Sequence, residues 1–182
     1  MAKLISKTYG EAFFELVCER NQEDQFLEEV EAVLHILDEN PGFTALMNHP
    51  KVTKEEKLSL LDEAFKGKAS DEMTGFLTII VKKDRFSEID AILAYIVSRI
   101  KENKGIGIAS VTTPQALTEQ QKKAVEDRLL ATTGYKSMEM HYEEDESLIA
   151  GMQIRIGDRV VDSSVKTKIE ELKRQLLKIQ VS

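Results

Sequence analysis

The side chains best able to do chemistry in this 182-residue chain are few and scattered. His35, His49 and His141 are its three histidines, and they fall on three separate predicted elements. A metal site needs ligands clustered at close spacing, so each is read as a surface or packing histidine, and neither a metal nor a cofactor is expected. Cys18, the one cysteine, cannot form an internal disulfide. It lies in an apolar helical pattern with no evident partner to lower its pKa, which reads as a small packed thiol. No glycine-rich phosphate loop, zinc-type spacing or nucleophile elbow occurs. Asp158, Arg159 and Asp162 stand close enough together to suggest an acid and a base. A turn aspartate, an exposed arginine and a helix cap account for them without catalysis. Lys166, Lys168, Lys173, Arg174 and Lys178 could meet nucleic acid or acidic lipid, but Glu170 and Glu171 sit among them. With a net charge of −7, that mixture reads as a solvated helix face, and nucleic acid is not an expected partner.

The elements that hold these residues are clearest from Leu148 to Leu177. Met152, Ile154 and Ile156 alternate with Gln153 and Arg155, the period of a strand with one buried face. Gly157-Asp158 supplies a two-residue hairpin turn, and Val160-Val161 is the return strand. After Asp162 the period changes. Val165, Ile169, Leu172, Leu176 and Ile179 recur every three or four residues, as on an amphipathic helix that Asp162, Ser163 or Ser164 can cap.

This stretch resembles the C-terminal signature of the delta subunit of F-type ATP synthases, the family of the mitochondrial oligomycin-sensitivity-conferring protein. That pattern is an apolar pair before two glycines, a strand carrying an arginine, Gly-Asp, a short apolar return, Asp-Gly-Ser and a helix with basic residues. Gly151, Gly157, Asp158, Asp162 and Ser164 match it. Ala150 and Ser163 stand where the pattern has glycine, a substitution that costs energy if φ there is positive. Weaker matches lie in Tyr9-Gly10-Glu11-Ala12-Phe13-Phe14, where the family often has alanine at Gly10, and in Lys82-Lys83-Asp84-Arg85-Phe86.

The first half reads as six helices. Residues 3 to 20 carry Ile5, Tyr9, Ala12, Phe13, Leu16 and Val17, with Phe14 and Cys18 as a second stripe, more apolar arc than one core needs. Phe26, Leu27, Val30, Val33, Leu34 and Leu37 mark the second helix. Asn40-Pro41 offers a cap and a first-turn proline for a short third. Thr53 and Glu56 form a capping box for the fourth, which stops at Gly67. Ser70 caps a fifth whose Met73, Phe76, Leu77, Ile79, Ile80 and Val81 are apolar almost all round, and Ser87 is placed to cap the sixth.

Gly105 and Gly107 mark a boundary, so residues 1–104 are expected to form a six-helix bundle and residues 105–182 a second domain. The latter begins with a strand from Ile108 to Thr113. A helix capped by Thr118 and Gln121 runs to Gly134, and a strand follows through Met138, Met140 and Tyr142. Glu143 to Glu146 is an acidic turn before the hairpin and last helix. The fold expected is an all-α bundle followed by a small α/β domain with a mixed sheet. No stretch approaches the roughly 20 apolar residues of a membrane helix.

The resemblance implies a non-catalytic connector in the peripheral stalk of a rotary ATP synthase, resisting rotor torque while protons or sodium ions drive synthesis. It implies that the bundle grips the amino-terminal segment of an alpha subunit in a groove between the first and fifth helices, to which Ile5, Tyr9, Ala12, Leu16, Phe76, Ile79 and Ile80 are assigned. It implies that the second domain contacts the carboxyl ends of the b subunits. The chain would then sit at the cytoplasmic face of the cell membrane, held there only through the complex. A helical adaptor unrelated to the synthase is the competing reading.

Overall fold

The computed structural model describes residues 2–165 and 167–169. The chain forms two units, residues 1–100 and 101–182. The first is all helical: α1 (Ala2–Arg20), α2 (Glu23–Glu39), α3 (Pro41–Met47), α4 (Lys54–Phe65) and α5 (Asp71–Lys82) precede α6 (Ile89–Asn103), whose last turn belongs to the second unit. The second continues through β1 (Ile106–Thr113), α7 (Glu119–Thr133), β2 (Ser137–Glu144), β3 (Gln153–Ile156) and β4 (Arg159–Asp162). This is the expected bundle followed by an α/β unit with a mixed sheet.

The periodic residues form the core. Val17, Val30, Met73, Ile80, Ile92, Leu93, Ile96 and Ile100 are fully enclosed, each contributing about 1.5 to 3 kcal/mol of transfer free energy before chain entropy is counted. Rings join three helices: Phe13 meets Phe26 edge-on at 5.7 Å and Phe76 at 4.6 Å. The start of α5 is clamped by a neighbour. Ser70 caps it, accepting from the Met73 amide at 3.1 Å, while Glu29 of α2 accepts from both the Ser70 amide and, at 2.9 Å, its hydroxyl.

Both capping boxes form, Thr53 with Glu56 and Thr118 with Gln121, and α7 closes on Gly134 in the left-handed conformation. Two other caps do not. Asn40 donates its side-chain amide to the Ile36 carbonyl at 2.8 Å, so it serves the end of α2 instead of the start of α3. Ser87 lies inside a 3₁₀ turn (Phe86–Glu88) that leads straight into α6, the Glu88 amide bonding to the Arg85 carbonyl. Buried Phe86, edge-on to Phe43 at 6.2 Å, anchors that turn.

The sheet order is β2-β1-β3-β4, with β1 parallel to β2 and antiparallel to β3. β1 begins at Ile106, two residues before the expected start. Glu143 and Glu144, expected in a turn, extend β2 because they pair with Thr112 and Thr113. Along β1 the burial alternates: Ala109, Val111 and Thr113 are enclosed, while Ser110 and Thr112 on the other face are not. Tyr142 lies in register with Val111 and donates its hydroxyl to the Lys122 carbonyl, which places α7 over the enclosed face. Val165 and residues 167–169 are helical, where the last helix is expected to begin. Leu172, Leu176 and Ile179 lie outside the described residues, as do Glu170, Glu171 and most of the basic residues around them.

Candidate protein-interaction site

The seam between α1 and α5 is built on the Phe13–Phe76 ring contact. Arg20, at the end of α1, pairs with Glu72, in the first turn of α5, at 3.1 Å. From the rings to this ion pair α1 runs forward and α5 backward, so the two helices are antiparallel. On α1, Ile5, Tyr9, Ala12 and Leu16 share one face by helical spacing. Ile5, Tyr9 and Leu16 are half-buried with their inner edges on the core, and Ala12 is exposed.

On α5 the apolar residues divide. Phe76 is 8% exposed and Ile80 0%, whereas Ile79 between them is 49% exposed. Ile80 stands one turn from Phe76 on the inner face and is a core residue, which corrects its assignment to the groove. Phe76 lies beneath the surface as floor. The residues that present apolar surface are therefore Ile79 on α5 and Ile5, Tyr9, Ala12 and Leu16 on α1. Gly75 widens this side of α5: it is exposed, and a methyl group added there would meet nothing within 4 Å. The sequence reading passed over Gly75, although a glycine inside an apolar helix is a visible signal because it costs about 1 kcal/mol relative to alanine. It also passed over Leu4, 70% exposed on α1.

A second cluster braces α1 from the other side. Glu11 accepts two bonds from Arg99 of α6, at 3.1 and 3.2 Å, and one from the Tyr95 hydroxyl at 2.9 Å. Arg99 and then Tyr95 hold the Glu11 carboxyl below its usual range. The Arg99 guanidinium also lies 4.9 Å from the Phe14 ring centre. Gly10 is where the Tyr95 ring packs: a Cβ there would stand 2.4 Å from Tyr95 Cδ1.

In the hairpin unit the signature residues hold a backbone crossing. Gly151 has φ of +91°, and a Cβ on it would stand 2.6 Å from the Ser163 carbonyl oxygen, so only glycine fits. Gly157, φ +56°, turns the hairpin, and Ile156 pairs with Arg159 across it. Of the three possible caps Ser164 does the work: its buried hydroxyl accepts from the Thr167 amide at 3.3 Å. Asp162 supports it, accepting from the Ser164 amide at 2.9 Å and the Thr167 hydroxyl at 2.7 Å. These bonds, the Ser164 amide first, lower its pKa to about 2. Ser163 donates its hydroxyl to the Met152 carbonyl at 2.9 Å. Neither Ala150 nor Ser163 has a positive φ; the left-handed position is Ile149, at +65°. The two departures from glycine therefore carry no backbone penalty.

The three histidines are apart. His35 lies 3.4 Å from Glu39, His49 accepts from the Lys51 amide, and His141 lies 3.2 Å from Glu139. Among the described residues no three of histidine, cysteine, aspartate and glutamate are grouped to hold a metal ion. Burial raises the pKa of the Cys18 thiol. Asp162 is an acceptor at the start of a helix, in keeping with the cap role expected of it.

A six-helix bundle with an apolar seam is followed by a small mixed-sheet unit with a capped hairpin, which defines a two-part protein. Residues 5–176 match the family model described as the ATP synthase delta (OSCP) subunit. The chain is 49% identical to the ATP synthase subunit delta of Lachnoclostridium phytofermentans, over 100% of both chains. It is 30% identical to that of a Geobacillus species, over 96% of this chain and 98% of the relative. Its fold matches a chain in the structure of the Toxoplasma gondii mitochondrial ATP synthase hexamer with a TM-score of 0.81, at 19% identity, over 94% of this chain and 97% of the other. The chain belongs to the ATP synthase delta (OSCP) family. The reading as an adaptor unrelated to the synthase falls with that match.

Proposed function

We propose that this chain is a non-catalytic connector in the peripheral stalk of an ATP synthase, linking the catalytic head to the stalk and resisting rotor torque. Residues 1–104 bind the amino-terminal segment of an alpha subunit along the α1–α5 seam, and residues 105–182 contact the carboxyl ends of the b subunits. The observation that carries this reading is Ile79: it is half exposed on a helix whose other large apolar residues are enclosed, one turn beyond Phe76 on the side of α5 that meets α1 through the Phe13 ring and the Arg20–Glu72 pair. An amphipathic helix laid in such a seam completes the burial with a few anchors. The mechanism asks only for tight binding and stiffness, and the enclosed core with the Glu11–Arg99 and Glu29–Ser70 clamps supports the stiffness. No helix among the described residues is long and apolar enough to cross a membrane. On this reading the complex holds the chain at the cytoplasmic face of the cell membrane. Affinity capture of the tagged chain from detergent-solubilised membranes tests the assignment. Alpha and b chains are expected to come down with it, and their absence from an otherwise intact preparation overturns it.

A further inference from the structure

Gly75 lies in the interior of α5, the fifth of its twelve residues. Glycine there destabilises a helix relative to alanine through chain entropy, so its presence asks for a compensating use. Most of the nine glycines have one inside the fold. Gly67, Gly105, Gly134, Gly151 and Gly157 take a positive φ, and at Gly10 and Gly107 a Cβ would stand 2.4 and 2.5 Å from the nearest side-chain atom. Gly42 and Gly75 have neither a positive φ nor any atom within 4 Å of an added Cβ. Gly42 is the second residue of the short α3, whereas Gly75 sits mid-helix on an exposed face. Among the described residues, nothing in the chain itself uses the missing side chain at Gly75.

Its surroundings point outward. By helical spacing Gly75 shares a face with Ile79, one turn on, and Glu72, one turn back. Ile79 is half exposed, and Glu72 is the residue that pairs with Arg20 of α1. Gly75 is therefore a hollow on the outer wall of the α1–α5 seam, with an uncovered aliphatic side chain at one end. Its floor is helix backbone whose amide and carbonyl are bonded within α5, so the hollow offers shape and no free polar group.

We propose that Gly75 is a specificity position, the hollow seating one large apolar side chain, such as leucine or phenylalanine, of the helix bound in the seam. The inference rests on the proposed binding of an alpha-subunit segment there and adds the residue that decides which side chain fits. A knob packed into a hole formed by four residues of a facing helix covers the open half of Ile79. A small residue would leave that half wet. A charged one would be desolvated against it, and Glu72 is already held by Arg20. Folding and binding then make opposite demands on position 75: the free helix favours alanine, and the complex favours glycine.

The test is titration of the full chain with a peptide from the alpha amino terminus, beside thermal unfolding of the same samples. Gly75→Ala is expected to raise the melting temperature, because its methyl group meets nothing in the free chain, and to weaken binding several-fold. Gly75→Leu is expected to stay folded and to weaken binding at least about tenfold, since it fills the seat. Gly42→Ala, with the same open space in α3, should leave binding unchanged. The large apolar residues of the peptide are then trimmed to alanine one at a time. For one trimmed peptide, the difference between Gly75→Leu and the unaltered chain should vanish, as expected of two residues in direct contact. If the unaltered chain binds the peptide and both Gly75 variants bind it equally well, the hollow seats nothing and the proposed function stands. A loss in Gly75→Leu that is the same for every trimmed peptide also overturns the seat, because it marks simple obstruction. Should Gly75→Leu fail to fold, Gly75→Ala decides by the same criteria. If the unaltered chain does not bind the peptide, the proposed seam contact falls and the seat with it.

Discussion

Gly10→Ala should destabilise the bundle even though alanine is the better helix former. An alanine Cβ at this position would lie 2.4 Å from Tyr95 Cδ1, 3.2 Å from Cε1 and 3.3 Å from Cγ, where ordinary carbon contacts are about 3.5 to 4 Å. The ring would have to retreat by about 1 Å, and it is not free to do so cheaply. Its hydroxyl is bonded to Glu11, which Arg99 also holds. Overpacking of this kind costs about 1 to 3 kcal/mol, against a propensity gain of about 1 kcal/mol for replacing a helical glycine. Loss of the partly exposed Tyr95–Glu11 bond adds up to about 1 kcal/mol. The net expectation is a loss of up to about 3 kcal/mol, read as a lower urea midpoint in circular dichroism of the full chain. The control is the background. With Tyr95→Ala the obstruction is gone, and adding Gly10→Ala should then stabilise by up to about 1 kcal/mol, reversing its sign. An increase in stability from Gly10→Ala in the unaltered chain would refute the packing argument.

Three further outcomes are expected. Residues 1–104 should fold alone, since their helices and core are complete within that span; a fragment lacking helical circular dichroism would sink the boundary. Gly151→Ala should destabilise the hairpin unit by about 2 kcal/mol or more through its positive φ and the Ser163 carbonyl, seen as faster amide exchange along β3 and β4, and unaltered exchange would contradict it. Asp162 has a folded pKa lowered from 3.8 to about 2. Its contribution is therefore present above pH 4 and lost as pH falls through 2. The protection of the Ser164 and Thr167 amides, their exchange measured against the intrinsic rate at each pH, should fall over that window in the unaltered chain, and be low at neutral pH in Asp162→Ala.

What could be read from sequence follows how local each signal is. The boxes at Thr53 and Thr118 formed because both partners lie three residues apart on one turn. Asn40 failed as a cap because the Ile36 carbonyl of the preceding helix takes its side chain, and Ser87 because the 3₁₀ turn that buried Phe86 anchors runs through it and leads straight into α6. Strand existence was legible in alternation. The β2-β1-β3-β4 order and its register were not, and so the pairing of Ser110 with Arg155 could not be foreseen. Helix α5 shows the same limit in the candidate groove. Its sequence is apolar nearly all round, and only packing separates enclosed Ile80 from exposed Ile79. Ala150 and Ser163 show the reverse error, since a missing glycine means strain only where the backbone is left-handed, and here Ile149 takes that position.

The central claim is that the α1–α5 seam binds a helix of the synthase, and Ile79→Glu tests it most directly. About half of Ile79 is already covered, and a bound helix would enclose the rest, so glutamate there would leave an unpaired charge in a desolvated contact at about 2 kcal/mol or more. The measurement is titration of the full chain with a peptide from the alpha amino terminus, beside thermal unfolding of the same samples. The account predicts binding by the unaltered chain, at least about tenfold weaker binding by Ile79→Glu, and melting temperatures that agree. An unaltered chain that ignores the peptide, or an Ile79→Glu variant that binds it equally well, would contradict the claim.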